Sequence, residues 1–289
     1  AAPHPSTRKR GRGRPPVFRQ GQATVQVMDR IVFRPGKTTR TLFAVLGALV
    51  LLHLLVVFCH LVLHVRVSAL TQLVDLDLES NLPTFFNSAL FFIAAFLFGL
   101  HGRMASGSLK RGWFTMAAVF IFLGVDESSQ VHEKFMSFTN NLLHRAGTGD
   151  GAGGWLFQAW VIPYVAALLV LAAVLARWFL KLDAPLRRGL VIGGAVYVAG
   201  AVFMEMAGGK LALALPAREA SLFPWLPCEL YGDPSGCWLF MEPGYIALYT
   251  LEETLEMTGL ILCVRALLMA FEARNERVFV AVESGERAR

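Results

Sequence analysis

Apolar runs recur six times along the chain, over about 41–65, 83–102, 113–136, 155–179, 187–209 and 242–269. Each comes close to the roughly 20 residues an α-helix needs to cross a hydrocarbon core. The second run, LPTFFNSALFFIAAFLFGL, and the fourth, WLFQAWVIPYVAALLVLAAVLARWFL, are almost free of charge. The third, fifth and sixth carry acids, and their apolar flanks alone mark them as spans. The pattern predicts an all-α polytopic bundle of about six transmembrane helices. A tail over 1–40 precedes the membrane domain 41–271, and a short C-terminal tail, 272–289, comes after it.

Composition agrees with this pattern. The 289 residues are 55% hydrophobic and 17% charged, with a mean hydropathy of +0.52, too apolar for an ordinary water-soluble domain. Charge changes the picture by orienting it. Residues 1–40 hold ten Lys or Arg and one acid, Asp29, so the remainder of the chain is net acidic. The 101–112 and 177–188 connections and the FEARNER end are basic, whereas 67–82 and 210–241 are not. Lys and Arg mark the cytoplasmic side, so both termini are expected there. No short apolar region with a small-residue cleavage site follows the basic start, and the first span is expected to serve as an uncleaved signal anchor. The tail run KRGRGRPP also resembles an AT-hook. In a membrane protein a solvated basic tail beside anionic lipid is the simpler reading, and nucleic acid is not the expected partner.

The acids inside the spans are the candidate chemistry. A charge at the bilayer centre costs about 3 kcal/mol on insertion scales, so these groups should turn inward. At 100° per residue, Glu242, Tyr245, Tyr249, Glu252, Glu253 and Glu256 fall within an arc of about 100° on the sixth helix, opposite Ala247, Leu248, Leu251 and Leu255. In the third, Asp126, Ser129, Gln130 and Glu133 share an arc, His132 falls just outside its edge, and Glu127 points elsewhere, toward a different neighbour. In the fifth, Glu205 shares a face with Gly194, Ala201, Gly208 and Gly209, whose small side chains let helices approach closely. In the first, His53, His60 and His64 lie within about 40° of one another, and the i, i+4 pair His60 and His64 has a metal-binding spacing. Rise per residue places Asp126, Glu252, Glu253 and Glu256 near the midplane. It places His60, His132, Glu133, Glu205 and Tyr249 in the outer half, with Asp77 and Glu79 at the mouth. The expected result is one acidic chamber that opens outward.

Cys228 and Cys237 flank a Gly/Pro turn, PCELYGDPSGCW, in the segment assigned outside. A disulfide is the expected state, and a zinc site needs more ligands than these two. Cys59 and Cys263 lie in apolar helices and read as inert core residues. No Gly-rich phosphate loop, HExxH or CxxC occurs.

The stretches ESNLPTFFNS (79–88), GVDESSQVHEKF (124–135), FMEMAGG (203–209) and LEETLEMTG (251–259) resemble a family of uncharacterised bacterial multispanning proteins, across residues 79–259. The resemblance implies a place in a bacterial inner membrane. It singles out Glu79, Asp126, Glu127, His132, Glu133, Glu205, Glu252, Glu253 and Glu256, and carries no activity. Three functions fit the residues. In the first, Asp126, His132, Glu205, Glu253 and Glu256 bind a divalent or transition metal, and metal-activated water acts on a lipid-like substrate, with Glu252 or Glu133 as general base. In the second, the acids relay protons or cations in a coupled transporter. In the third, the chain is a non-catalytic subunit that docks protein partners through its basic tail or the 210–241 loop, with membrane lipid around the bundle.

Overall fold

The computed structural model describes residues 34–132, 134, 139, 160–216, 218–231 and 236–273. Among these there is no strand, and six helices are long and apolar enough to cross a membrane. We label them α1 (Pro35–Leu63), α3 (Leu82–Met104), α4 (Gly107–Ser129), α5 (Val161–Phe179), α6 (Ala184–Ala214) and α7 (Pro243–Ala273). A short helix, α2 (Ser68–Val74), lies between the first two. The six apolar runs thus correspond to six long helices, with ends displaced by several residues from those predicted.

Helix starts follow local chemistry. Proline occupies the first turn of α1, α3 and α6, where its missing N–H has no intrahelical partner to lose. Asn81 caps α3 by accepting a hydrogen bond from the Thr84 amide at 3.1 Å. Two-residue separation makes α3 and α4 antiparallel neighbours across Ala105 and Ser106.

Helix α7 is the hub, packed against α1, α3 and α6. The most apolar stretch of α7 is 61% buried and that of α3 56%, against 22% or less in the other four long helices. These two therefore form the interior, and the outer helices turn Leu51, Phe122, Val170, Val174 and Phe203 outward, as lipid-facing surfaces require. The core joins Leu46, Leu90, Phe91, Ile246, Met257, Leu260 and Ile261.

Glycines set the α6–α7 contact. A Cβ on Gly193 would lie 2.8 Å from the Gly259 carbonyl oxygen, and one on Gly200 2.6 Å from the Glu252 carbonyl oxygen. The face expected to lie against a neighbour was that of Gly194, Ala201, Gly208 and Gly209; Ala201, Gly208 and Gly209 are buried, but Gly194 and Gly208 have open space where a Cβ would stand. A π-turn at Ala199–Met204 lies before Gly208, though not before Gly194. One extra residue per turn rotates everything beyond it relative to a uniform 100° progression.

One end of the bundle carries a cap built from 218–231 and 236–242. Cys228 and Cys237 form a disulfide there, as expected from the sequence. Leu226, Tyr231 and Cys237 make a small apolar cluster, and Tyr231 stacks on Phe240 with ring centroids 3.7 Å apart. Trp225 donates its indole N–H to the His60 carbonyl oxygen at 3.1 Å and lies against the His64 ring. At the opposite end His101 is stacked between Trp113 and Phe271.

Candidate functional site

The spans bring their acids together between α3, α4, α6 and α7. Asn87, fully buried on α3, donates from Nδ2 to Glu127 Oε1 at 2.9 Å and to Glu256 Oε2 at 3.3 Å. One amide thus joins carboxyls from α4 and α7. Glu253 lies within electrostatic reach of Glu256, Glu127, Glu79 and Asp77. Glu252 and Glu205 are within hydrogen-bonding reach of each other, and Glu205 also acts on Glu256. Gly200 brings α6 close enough that a Cβ there would meet Glu256 Cγ at 3.0 Å. Tyr197 lies within electrostatic reach of Glu256, Glu127, Glu253 and Asp126. Glu256 is buried, and Glu127, Glu205, Glu252 and Glu253 are half-buried. On the far side of α7, Ala247 and Leu251 are exposed, as the arc predicted.

The two acids near the end of α4 take different roles. Glu127, expected to point elsewhere than the Asp126 arc, meets Asn87 on α3 and through it the α7 carboxyl of Glu256. Asp126 instead closes the end of α4. There Gln130 adopts a left-handed conformation, φ 53°, and Asp126 Oδ1 accepts the His132 backbone N–H at 2.8 Å. The helix stops at Ser129, so the predicted stripe Asp126–Ser129–Gln130–Glu133 has no continuous helix to lie on. His132 sits with Nδ1 3.5 Å from Asp126 Oδ2 and its ring against Trp160. Glu133, expected as a general base, lies outside the described residues. Glu242 pairs with Arg218 at 3.1 Å, apart from the α7 cluster.

The metal-ligand set expected from the sequence is not assembled as ligands. Among the described residues no group of three or more His, Cys, Asp or Glu side chains is placed to hold a metal ion. The physical reason is visible for the central pair, since the Asn87 amide nitrogen stands between Glu127 and Glu256. Asp126 and His132 are engaged with each other. The first-helix histidines likewise separate. His60 Nε2 meets Thr71 Oγ1 at 3.3 Å. His64 terminates α1 in a left-handed conformation after a π-turn at Cys59–Leu63 and joins Trp225 at the cap.

A second polar group lies under the cap. His53, fully buried, has Nδ1 3.2 Å from the Leu76 amide, which donates to it, and Nε2 3.1 Å from Thr250 Oγ1. Its Nδ1 is also 3.5 Å from Asp75 Oδ1. A nitrogen that accepts the Leu76 N–H carries no proton, so Nε2 bears the ring proton and the 3.5 Å contact is not an ion pair in this state. Asp75 Oδ2 accepts the Tyr231 hydroxyl at 2.8 Å, and Oδ1 accepts the Asp77 amide at 3.1 Å. Burial raises the Asp75 carboxyl to about 6, against the two hydrogen bonds that favour its ionised form. Burial and the neighbouring Asp75 raise the Tyr231 hydroxyl well above its usual range.

Asp75 carries a pH prediction. Its folded-state value exceeds the unfolded one, so folding takes up a proton between them, and its contribution is fully present below about 4 and lost as pH rises through about 6. Relative to Asp75→Asn, the wild-type protein is expected to lose about 3 kcal/mol of stability between pH 4 and 7, from ~1.4 kcal/mol per unit. Thermal unfolding of both proteins in detergent across that range checks it, and parallel pH profiles would refute it.

Sequence reasoning did not single out Asn87, Asp75, Tyr197 or Tyr231. Asn87 and Ser88 did leave a signal, a polar pair inside the Phe-rich run TFFNSALFF. Asp75 left a weaker one, as the first acid of VDLDLES.

A family model described as Domain of unknown function (DUF8692) matches residues 42–271. The chain belongs to that family. No curated protein and no solved structure matches it.

Proposed function

We propose that this family member is a proton-coupled membrane protein whose interhelical carboxyls hold exchangeable protons. The observation that carries the reading is the Asn87 amide shared by Glu127 and Glu256. The two carboxyl oxygens lie roughly 6 Å apart or less, and two full charges at that distance repel by about 3 kcal/mol at an effective dielectric of 20. Residues 41–65, 82–102, 113–133, 189–209 and 243–264 contain no Lys or Arg, so these stretches supply no side-chain cation to offset the charge. Protons do so without any rearrangement. The approach of Glu252 to Glu205 points the same way, because two carboxyls within hydrogen-bonding reach need a proton between them. Asp77 and Glu79 connect the cluster electrostatically to the capped end.

The test is infrared spectroscopy of the detergent-purified protein at neutral pH, beside elemental analysis of the same sample. A carbonyl stretching band of protonated carboxyl groups is expected, losing intensity in Glu253→Gln and Glu256→Gln. Absence of the band would sink the proton reading. A stoichiometric metal that disappears in those variants would replace it with the metal-centre reading. In proteoliposomes the wild-type protein is expected to dissipate or use an imposed pH gradient, and Glu256→Gln to do so at least tenfold more slowly.

A further inference from the structure

The hydrogen-bonded group beneath the cap is separate from the carboxyl cluster, and it reaches toward it. Tyr231 leads to Asp75 at 2.8 Å, Asp75 to His53 at 3.5 Å, and His53 to Thr250 at 3.1 Å. Thr250 stands on α7 three residues before Glu253, one turn along the same helix face. The chain of contacts therefore begins at the disulfide-bonded cap and ends one turn from the carboxyls.

We infer that His53 is a proton-transfer residue that passes protons from Asp75, under the cap, to Thr250 on α7. This rests on the proton-binding reading of the cluster. The step conserves atoms and charge. The Asp75 acid proton moves from Oδ1 to His53 Nδ1, displacing the Leu76 N–H contact and leaving a carboxylate beside an imidazolium. The Nε2 proton then leaves for Thr250 Oγ1, as the hydroxyl's own proton passes to a carboxylate of the cluster. The ring is left neutral with its proton on Nδ1, facing the Asp75 carboxylate that the transfer leaves behind.

The surroundings favour this route. Both ring nitrogens already point at polar partners on different elements, the α2–α3 connection and α7. His53 is 0% exposed, so bulk water does not reach the ring. The groups facing it are His60 on its own helix, Asp75 and the Leu76 amide on the α2–α3 connection, and Thr250 and the Tyr249 ring on α7, the last with centroids 5.5 Å away. Asp75, with its carboxyl raised to about 6, both binds and releases protons near neutral pH. A group fixed at either extreme would do only one of these.

The experiment times hydrogen–deuterium exchange of the protonated-carboxyl infrared band after dilution of the full-length protein into deuterium oxide. In His53→Gln and Thr250→Val the band is expected to keep its wild-type amplitude and exchange at least tenfold more slowly. A packing role alone would change stability or amplitude and leave the rate in place. Wild-type exchange rates in both variants would overturn the relay while leaving the proton-binding cluster intact. A missing band in the wild type would overturn the cluster itself. Where His53→Gln fails to fold, Thr250→Val alone decides, because it leaves the ring and the Leu76 contact in place.

Discussion

Replacing Gly259 by leucine is expected to abolish recovery of folded protein from the membrane. A Cβ at this position would lie 2.5 Å from the Tyr197 amide nitrogen, 2.6 Å from the Gly193 carbonyl oxygen and 2.8 Å from Tyr197 Cα. These are backbone atoms of α6, so no rotamer change relieves them, and the two helices must move apart. Separation would strip contacts from the most buried helix in the bundle and open the interface that holds Glu256 beside Gly200. Overpacking of a tight core costs about 1–3 kcal/mol where side chains can adjust, and a whole-helix displacement exceeds that. Alanine at 259 is expected to be harmful as well, because the Cβ itself makes the clash. Gly194 is the control, since nothing lies within 4 Å of a Cβ there. Gly194→Ala should run as a monodisperse peak in detergent with the wild-type melting temperature, and Gly259→Leu should aggregate. Equal yields of the two would mean that α6 and α7 do not pack through these glycines.

Asn87→Leu carries the second large effect. Leucine has the same number of side-chain heavy atoms and the same branch point as asparagine but offers no donor, so Glu127 and Glu256 lose the amide that joins them. An unsatisfied buried polar group costs about 1–3 kcal/mol, and more when it is charged. The Asn87 carbonyl oxygen has no hydrogen-bond partner among the described residues, so the loss comes from the amino side of the group alone. We expect a destabilisation of about 3 kcal/mol, read as a lower thermal midpoint in detergent. The double variant Asn87→Leu/Glu256→Leu should be more stable than the additive sum, because replacing both partners by apolar groups removes the need that one replacement leaves behind. Strict additivity would show that the amide does not act on Glu256.

The six helices were legible because lipid imposes a simple requirement. A spanning segment must be long, apolar and internally hydrogen-bonded, and each of those properties is local. Direction was legible for Glu252, Glu253 and Glu256, which lie beyond the helix start at Pro243 and follow the expected arc. It was not legible for His64, Gly208 or His132. Face arithmetic assumes one uniform helix, and this chain departs from it at a π-turn in α6, at another in α1, and at the left-handed Gln130 that ends α4. Each departure rotates or redirects the residues beyond it.

By itself, then, the amino-acid sequence determined that the chain forms a bundle of apolar helices, that acids are buried within it, and that Cys228 and Cys237 are near enough to pair. Tertiary structure alone decided which acids meet. It put Asn87 between Glu127 and Glu256, gave Asp126 to a helix end, and joined Asp75 to His53 beneath the cap. Those pairings depend on residues distant in sequence approaching within about 3–4 Å, and approach at that scale is set by how glycine lets α6 reach α7 and by where each helix stops.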